Sequence, residues 1–240
     1  MWTNLDKLCI EGDSCSIKVR FFIISNNHVL ANLSNGQDNR AEVGDAILQP
    51  GLYDDGNISD EGIIGHLTRF VPIYAEVGSS ECRIANKFEQ WLNKWINIFK
   101  PHYHVRVLRE TEKINQVDCA VATPINDDAI SREIIDVGAV EGIKSATVGT
   151  LVKKSGRSSG LTFSVVLATD VTCKIALSSS EYAIFSDQVV AGPMSMPGDS
   201  GSLVLTEDNY AVGLLFAGSE QATMFCRMDK VMKALNVTIP

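Results

Sequence analysis

The sequence has no apolar run approaching the roughly 18 to 20 residues needed to cross a bilayer. Lys18, Arg20, Asp170 and Lys174 interrupt the best candidates, so no membrane partner is expected. The opening "MWTNLDKLCIEGDS" lacks the basic start and apolar stretch of a secretory signal, and a cytoplasmic protein is expected. Positive charge is also scarce. A net charge of −8 repels a phosphate backbone, so nucleic acid is not an expected partner. CxxC pairs are missing too: Cys9, Cys15, Cys82, Cys119, Cys173 and Cys226 are scattered. A 240-residue chain can build a core without disulfide staples, so these read as reduced thiols, mostly small core residues. Cys82 with His102 and His104 could approach a zinc site, but the usual ligand spacing is absent. No metal or cofactor is expected.

What is present is 45% hydrophobic content cut into short alternating runs bounded by Gly, Asn, Asp and Ser. "SCSIKVRFFII", "DAILQPG", "IIGHLTRFVPIY", "HVRVL", "DCAVAT", "SATVGTLVKK", "LTFSVVLATDV", "YAIFSDQVV", "GSLVL" and "YAVGLLFAG" all read as strands. That density of short strands predicts an all-β sandwich or barrel architecture. Two segments have helical spacing instead. From Glu81 to Lys100, Ile84, Phe88, Trp91, Trp95 and Phe99 share a stripe. An inserted helix is predicted there, its aromatic face packing on the chain's own core or, alternatively, docking a protein partner. Near the end Met228, Val231, Met232 and Leu235 share a second stripe, predicting a closing helix packed on the body. The polar, turn-prone "TPINDDAISREIIDV" between them divides two strand-rich halves, 1–128 and 129–240.

Chemistry is concentrated in "AGPMSMPGDSGSLVL", Ala191 to Leu205. A serine hydroxyl is a poor nucleophile at neutral pH, so it needs a base to take its proton and donors for the oxyanion that forms. Glycines beside Ser200 would let the amides of Gly198 and Ser200 point at one oxygen. Taken alone, the same letters describe a polar turn. All four histidines, His28, His66, His102 and His104, precede Ser200, and Ser202 stands where a nucleophile elbow needs glycine. The α/β-hydrolase order is thereby excluded. His28 follows an apolar strand in an Asn-rich turn, whereas His66 suits a structural hydrogen bond and "PHYHVRV" reads as surface. A carboxylate inside an apolar run is costly without a partner. Asp118 in "QVDCAVAT" fits that description, and Asp45 and Asp136 are rivals that pattern alone does not separate.

"ISNNHVLA", "VDCAVA" and "PGDSGSLV" resemble, in this order, the histidine, aspartate and serine motifs of the chymotrypsin/trypsin-like serine peptidases, notably the intracellular bacterial-type branch. "VGTLVKKSGRSSG" and "VGLLFAGS" resemble the strands beside the nucleophile loop and the bound substrate. The resemblance implies two antiparallel β-barrels, the first carrying His28 and Asp118 and the second carrying Ser200. It implies that Ser200 attacks, that His28 shuttles the proton, that Asp118 orients His28, and that Gly198 and Ser200 hold the oxyanion. Asp199 becomes a structural acid supporting the loop. Met194 is placed near the base of the primary pocket and Phe216, Ala217 and Gly218 along its wall, with an uncharged residue preferred before the scissile bond.

Departures from the family's pattern carry expectations of their own. Val29 stands where secreted relatives carry cysteine, which agrees with a reducing compartment. The stretch before His28 is short, so the first barrel is expected to be abbreviated, and the long separation of His28 from Asp118 accommodates the helix as an insertion. No activation cleavage site is recognisable, which argues against zymogen control. The expected function is a serine endopeptidase acting on protein or peptide, self-processing or with few substrates. The alternative is a peptidase-like binding module that docks through the 81–100 helix.

Overall fold

A computed structural model of the protein describes residues 21–51, 62–75, 77–79, 82–105, 107–110, 113–126, 128, 130–131, 133–178 and 181–239. Cys9, Cys15 and the first part of the "SCSIKVRFFII" strand lie outside them.

Alternation of apolar and small residues over Ile23, Ile24, Val121 and Ala122 produces two-faced strands. β1 (Ile23–Ser25) leads into a one-turn helix, α1 (Asn27–Leu30), followed by β2 (Ala46–Leu48) and β3 (Ile63–Phe70). β4 (Val77–Ser79), the helix α2 (Arg83–Phe99) and β5 (Leu108–Glu110) precede β6 (Ala120–Pro124). β1, β6, β3 and β2 form an antiparallel sheet in that order, with Ile24 opposite Val121.

Three two-residue strands, β7 (Glu133–Ile134), β8 (Gly138–Ala139) and β9 (Gly142–Ile143), cross the polar middle of the chain. The second sheet follows: β10 (Leu151–Gly156), β11 (Gly160–Ala176), β12 (Tyr182–Ala191), β13 (Leu203–Thr206), β14 (Tyr210–Gly218) and β15 (Thr223–Arg227). Their order β11-β10-β13-β14-β15-β12, with a further pairing of β11 to β12, closes these six strands into a ring. β4 and β5 extend the same sheet from β12, although they precede residue 128. The chain ends in α3 (Met228–Leu235), which buries Met228, Val231, Met232 and Leu235 as its spacing predicts.

The two-faced strands explain how the sheets join. Ile23, Ala120 and Ala122 point into a small core with Leu67 and Ile47. Ile24, Cys119 and Val121 point the other way, into a core shared with Phe185, Leu214, Phe216 and Met228 of the second sheet. One continuous apolar seam therefore fixes the end of β1 and the start of β6 against the second sheet.

One expectation is overturned. No residue of α2 is buried, and Ile84, Phe88, Trp91, Trp95 and Phe99 are all exposed. The helical period is present but no core covers it; in chain order the helix falls between the short strands β4 and β5. A strand was also missed: β15, "TMFCR", has no clean alternation and follows a polar turn.

If the seam positions the two halves, Ile24→Ala should cost about 3 kcal/mol, the range for truncating a buried isoleucine. The shift in the urea unfolding midpoint measures it.

Candidate active site

Asn26 and Asn27 are fully buried at the turn after β1 and act as braces. The Nδ2 of Asn27 donates to the carbonyls of Ser34 (3.0 Å) and Val71 (2.7 Å), while the Nδ2 of Asn26 donates to the carbonyl of Asp118 (2.8 Å). The polarity of "SNNH" signals such a turn, but only the fold shows which backbone groups it satisfies. The braces fix α1, and with it His28. Its Nδ1 lies 2.6 Å from Oδ2 of Asp118, and its backbone amide donates to Oδ1 at 3.3 Å. The Asp118 carboxylate is 3% exposed and His28 is 26% exposed, so the acid is sealed and the imidazole keeps an accessible edge. In a neutral imidazole, an Nδ1–H donating to this carboxylate leaves Nε2 as an acceptor.

Geometry separates the rival acids. Asp45 is exposed and accepts from the amide of Glu42, and Asp136 sits in an exposed turn at φ +64°. His66 lies 3.1 Å from the carbonyl of Gly44, and His102 and His104 are exposed. No group of three or more His, Cys, Asp or Glu able to hold a metal occurs among the described residues. Burial raises the Cys119 and Cys226 thiols well above their usual range, so neither is a competing nucleophile. Cys226 instead accepts the amide of Asp118 at 3.2 Å through Sγ.

The segment Met196–Ser202 is tied to itself and to β14. The amide of Asp199 donates to Met196 O (3.0 Å), that of Gly201 to Leu215 O (2.9 Å) and that of Leu215 to Ser202 O (2.9 Å). Gly198 (φ +98°) and Gly201 (φ +85°) occupy backbone conformations that side chains disfavour. A Cβ on Gly201 would strike the side chain of Ser25, the last residue of β1. The serine loop and the turn carrying His28 therefore meet. Half-buried Ser200 makes no side-chain hydrogen bond among the described residues, and the amides of Gly198 and Ser200 have no acceptor there.

Beneath that loop lies the one buried ion pair recorded between described residues, Lys154 with Asp199, both completely buried. The Nζ of Lys154 donates to Oδ2 of Asp199 at 3.0 Å and to Gly160 O at 3.1 Å, and also bonds the Ser159 hydroxyl. Asp199 further accepts from Ser158 N, Ser159 N, Ser159 Oγ and Met196 N at 2.6 to 3.1 Å. Burial alone would raise the Asp199 pKa. The Ser159 hydroxyl, the Met196 amide, Lys154 and the Ser158 amide outweigh it and hold the pKa at about 2. Lys154 was not foreseen. It is the inward member of the pair Lys153 and Lys154 on β10, and strand alternation is the signal that could have found it.

Met194 and Phe216 are buried in the two larger cores, Phe216 with its ring centroid 4.9 Å from Phe185. Ala217 is half-buried and Gly218 exposed. Unforeseen neighbours are Ser195 and Thr223. Ser195 Oγ lies 2.8 Å from Thr223 Oγ1, which also accepts the Met194 amide at 3.0 Å, and a Cβ on Gly218 would meet the Ser195 hydroxyl.

No protein-family model and no curated protein matches this sequence. Among solved structures, the fold matches a glutamic-acid-specific serine protease that uses a histidine triad in substrate binding. The identity is 15% and the TM-score 0.53, over 99% of this chain and 91% of that one. A Nocardiopsis protease (19% identity, TM-score 0.44) and the Cellulomonas bogoriensis chymotrypsin (19%, 0.42) are similar over 56% of this chain, covering 73% and 75% of theirs. The chain has the chymotrypsin-like peptidase fold.

Two outcomes test the buried pair. Lys154→Met leaves a sealed carboxylate short of its cation and should cost about 3 kcal/mol in chemical denaturation. Because folding lowers the Asp199 pKa from 3.8 to about 2, its contribution of about 2 kcal/mol is complete above pH ~4 and lost as pH falls through ~2. Asp199→Asn should remove that part of the acid sensitivity, read as the difference between the two proteins' unfolding curves.

Proposed function

We propose that this chain is a serine endopeptidase in which Ser200, His28 and Asp118 form the catalytic triad. The observation that carries the reading is the sealed Asp118 carboxylate on His28 Nδ1, at the meeting point with a loop whose Gly198 and Ser200 amides have no partner among the described residues. His28 Nε2 takes the Ser200 proton as Oγ attacks the substrate carbonyl, and Asp118 stabilises the imidazolium that results. The amides of Gly198 and Ser200 receive the oxyanion, each such donor being worth roughly a hundredfold or more in rate. His28 then gives its proton to the leaving amine, and water releases the acyl group by the same steps in reverse. Apo sites commonly show the serine–histidine bond long or unmade, in keeping with an unbonded Ser200. The barrel boundary falls near residue 128 in this reading. The four free cysteines described, Cys82, Cys119, Cys173 and Cys226, support a reducing, cytoplasmic setting.

The substrate side is polar but uncharged. Ser195 and Gly218 meet beside the Met194 backbone, with the buried Thr223 hydroxyl behind Ser195, and a cationic side chain would find no countercharge among them. Small or apolar uncharged residues are expected before the scissile bond. Cleavage of a peptide library checks this, and strong selection for Arg or Lys would refute it.

A second reading, a binding module on a peptidase scaffold that docks a protein through α2, draws on the unbonded Ser200 and the exposed helix face. A serine-directed fluorophosphonate decides between them. Wild type should label, Ser200→Ala and His28→Ala should not, and Asp118→Asn should label on the order of 10³ to 10⁴ times more slowly. Absence of labelling in wild type selects the binding module. Intact mass after purification reports whether the peptidase cuts itself.

A further inference from the structure

The exposed face of α2 has a composition and an arrangement that suit a particular occupant. Wound at 3.6 residues per turn, Ile84, Phe88, Trp91, Trp95, Ile98 and Phe99 fall in one arc of roughly 100°. Each is more than half exposed. The aromatic rings already form a ridge, with Phe88 stacked on Trp91 at 5.9 Å and Trp91 edge-on to Trp95 at 6.3 Å. Beside the arc, on one flank only, lie the exposed cations Arg83, Lys87 and Lys94.

The other flank is spoken for by the protein itself. Glu89 Oε2 accepts the amide of Val107 at 2.8 Å, and Asn93 bonds both the amide and the carbonyl of Val105 at 2.7 and 2.8 Å. Ala85, Leu92 and Ile96 on that side are half-covered. The helix is thus bonded on this flank to the segment that follows it, with the apolar arc exposed and the cations beside it.

We propose that α2 lies in the headgroup region of an anionic lipid bilayer, its aromatic arc in the acyl boundary and Arg83, Lys87 and Lys94 on the headgroups. Charge complementarity selects this occupant. Between residues 83 and 100 stand four cations and the single anion Glu89, in a chain of net charge −8. A second copy docking through the same helix would bring the same cations without acids to answer them, since its one anion, Glu89, is already bonded to Val107. Trp and Phe above a Lys/Arg border are the composition of helices that rest in the interface plane. No helix among the described residues is long and apolar enough to cross a membrane. Surface adsorption needs no such span, so this binding departs from the expectation drawn from the missing apolar run. It stands independently of the peptidase reading.

Flotation of the full chain with phosphatidylcholine vesicles, with and without phosphatidylserine, tests the proposal. The protein should float with phosphatidylserine vesicles and not with phosphatidylcholine alone, and added salt should weaken binding. Arg83→Glu/Lys87→Glu/Lys94→Glu should reduce partitioning on the order of a hundredfold or more. Trp91→Ala/Trp95→Ala should abolish flotation with its circular dichroism spectrum unchanged. Failure of the folded wild type to float overturns the proposal. So does flotation that survives both variants, or a Trp91-dependent dimer in sedimentation velocity that does not bind vesicles.

Discussion

A 2.6 Å hydrogen bond between His28 Nδ1 and Asp118 Oδ2 joins two segments ninety positions apart in sequence. Everything else in the site depends on it. It exists because β1 and β6 are antiparallel neighbours, so the residue just before β6 arrives beside the turn just after β1. Asn26 clamps that crossing through the Asp118 carbonyl, and Cys226 receives the Asp118 amide from the other sheet. The carboxylate is consequently buried with each partner already in place. Burial without them would cost several kcal/mol.

The serine loop obeys the same logic with different chemistry. Five donors converge on one sealed carboxylate, and the cation among them, Lys154, comes from β10 rather than from any separate group. Such a network fixes the loop in one conformation, because every departure leaves a buried charge unanswered. With the loop so held, the Gly198 and Ser200 amides have no acceptor among the described residues. The apolar seam through Ile24, Val121, Phe185 and Leu214 then presses the two preorganised pieces together.

How much of this was legible in the sequence follows from the range of each interaction. His28, Asp118 and Ser200 sit in short local strings, and local strings are what a sequence displays. The stripe of α3 was legible because its partner core is the nearest one in the chain. The stripe of α2 had the same periodicity and the opposite fate, since period reports one apolar face and says nothing about what covers it. Alternation along β10 marks Lys154 as inward-facing, but nothing local names its partner, which lies 45 positions away. Met194 and Phe216, expected at a pocket, are packed in the cores, while the hydroxyls of Ser195 and Thr223 meet across a separation that no local motif encodes.

In the proposed triad one imidazole and two amides converge on the oxygen chemistry of a single serine. A crystal structure of the protein after reaction with a fluorophosphonate tests it most directly. The account predicts phosphorus bonded to Ser200 Oγ, His28 Nε2 facing that oxygen, and the phosphoryl oxygen within hydrogen-bonding distance of the Gly198 and Ser200 amides. An adduct on another residue, or a phosphoryl oxygen turned away from both amides, would contradict it.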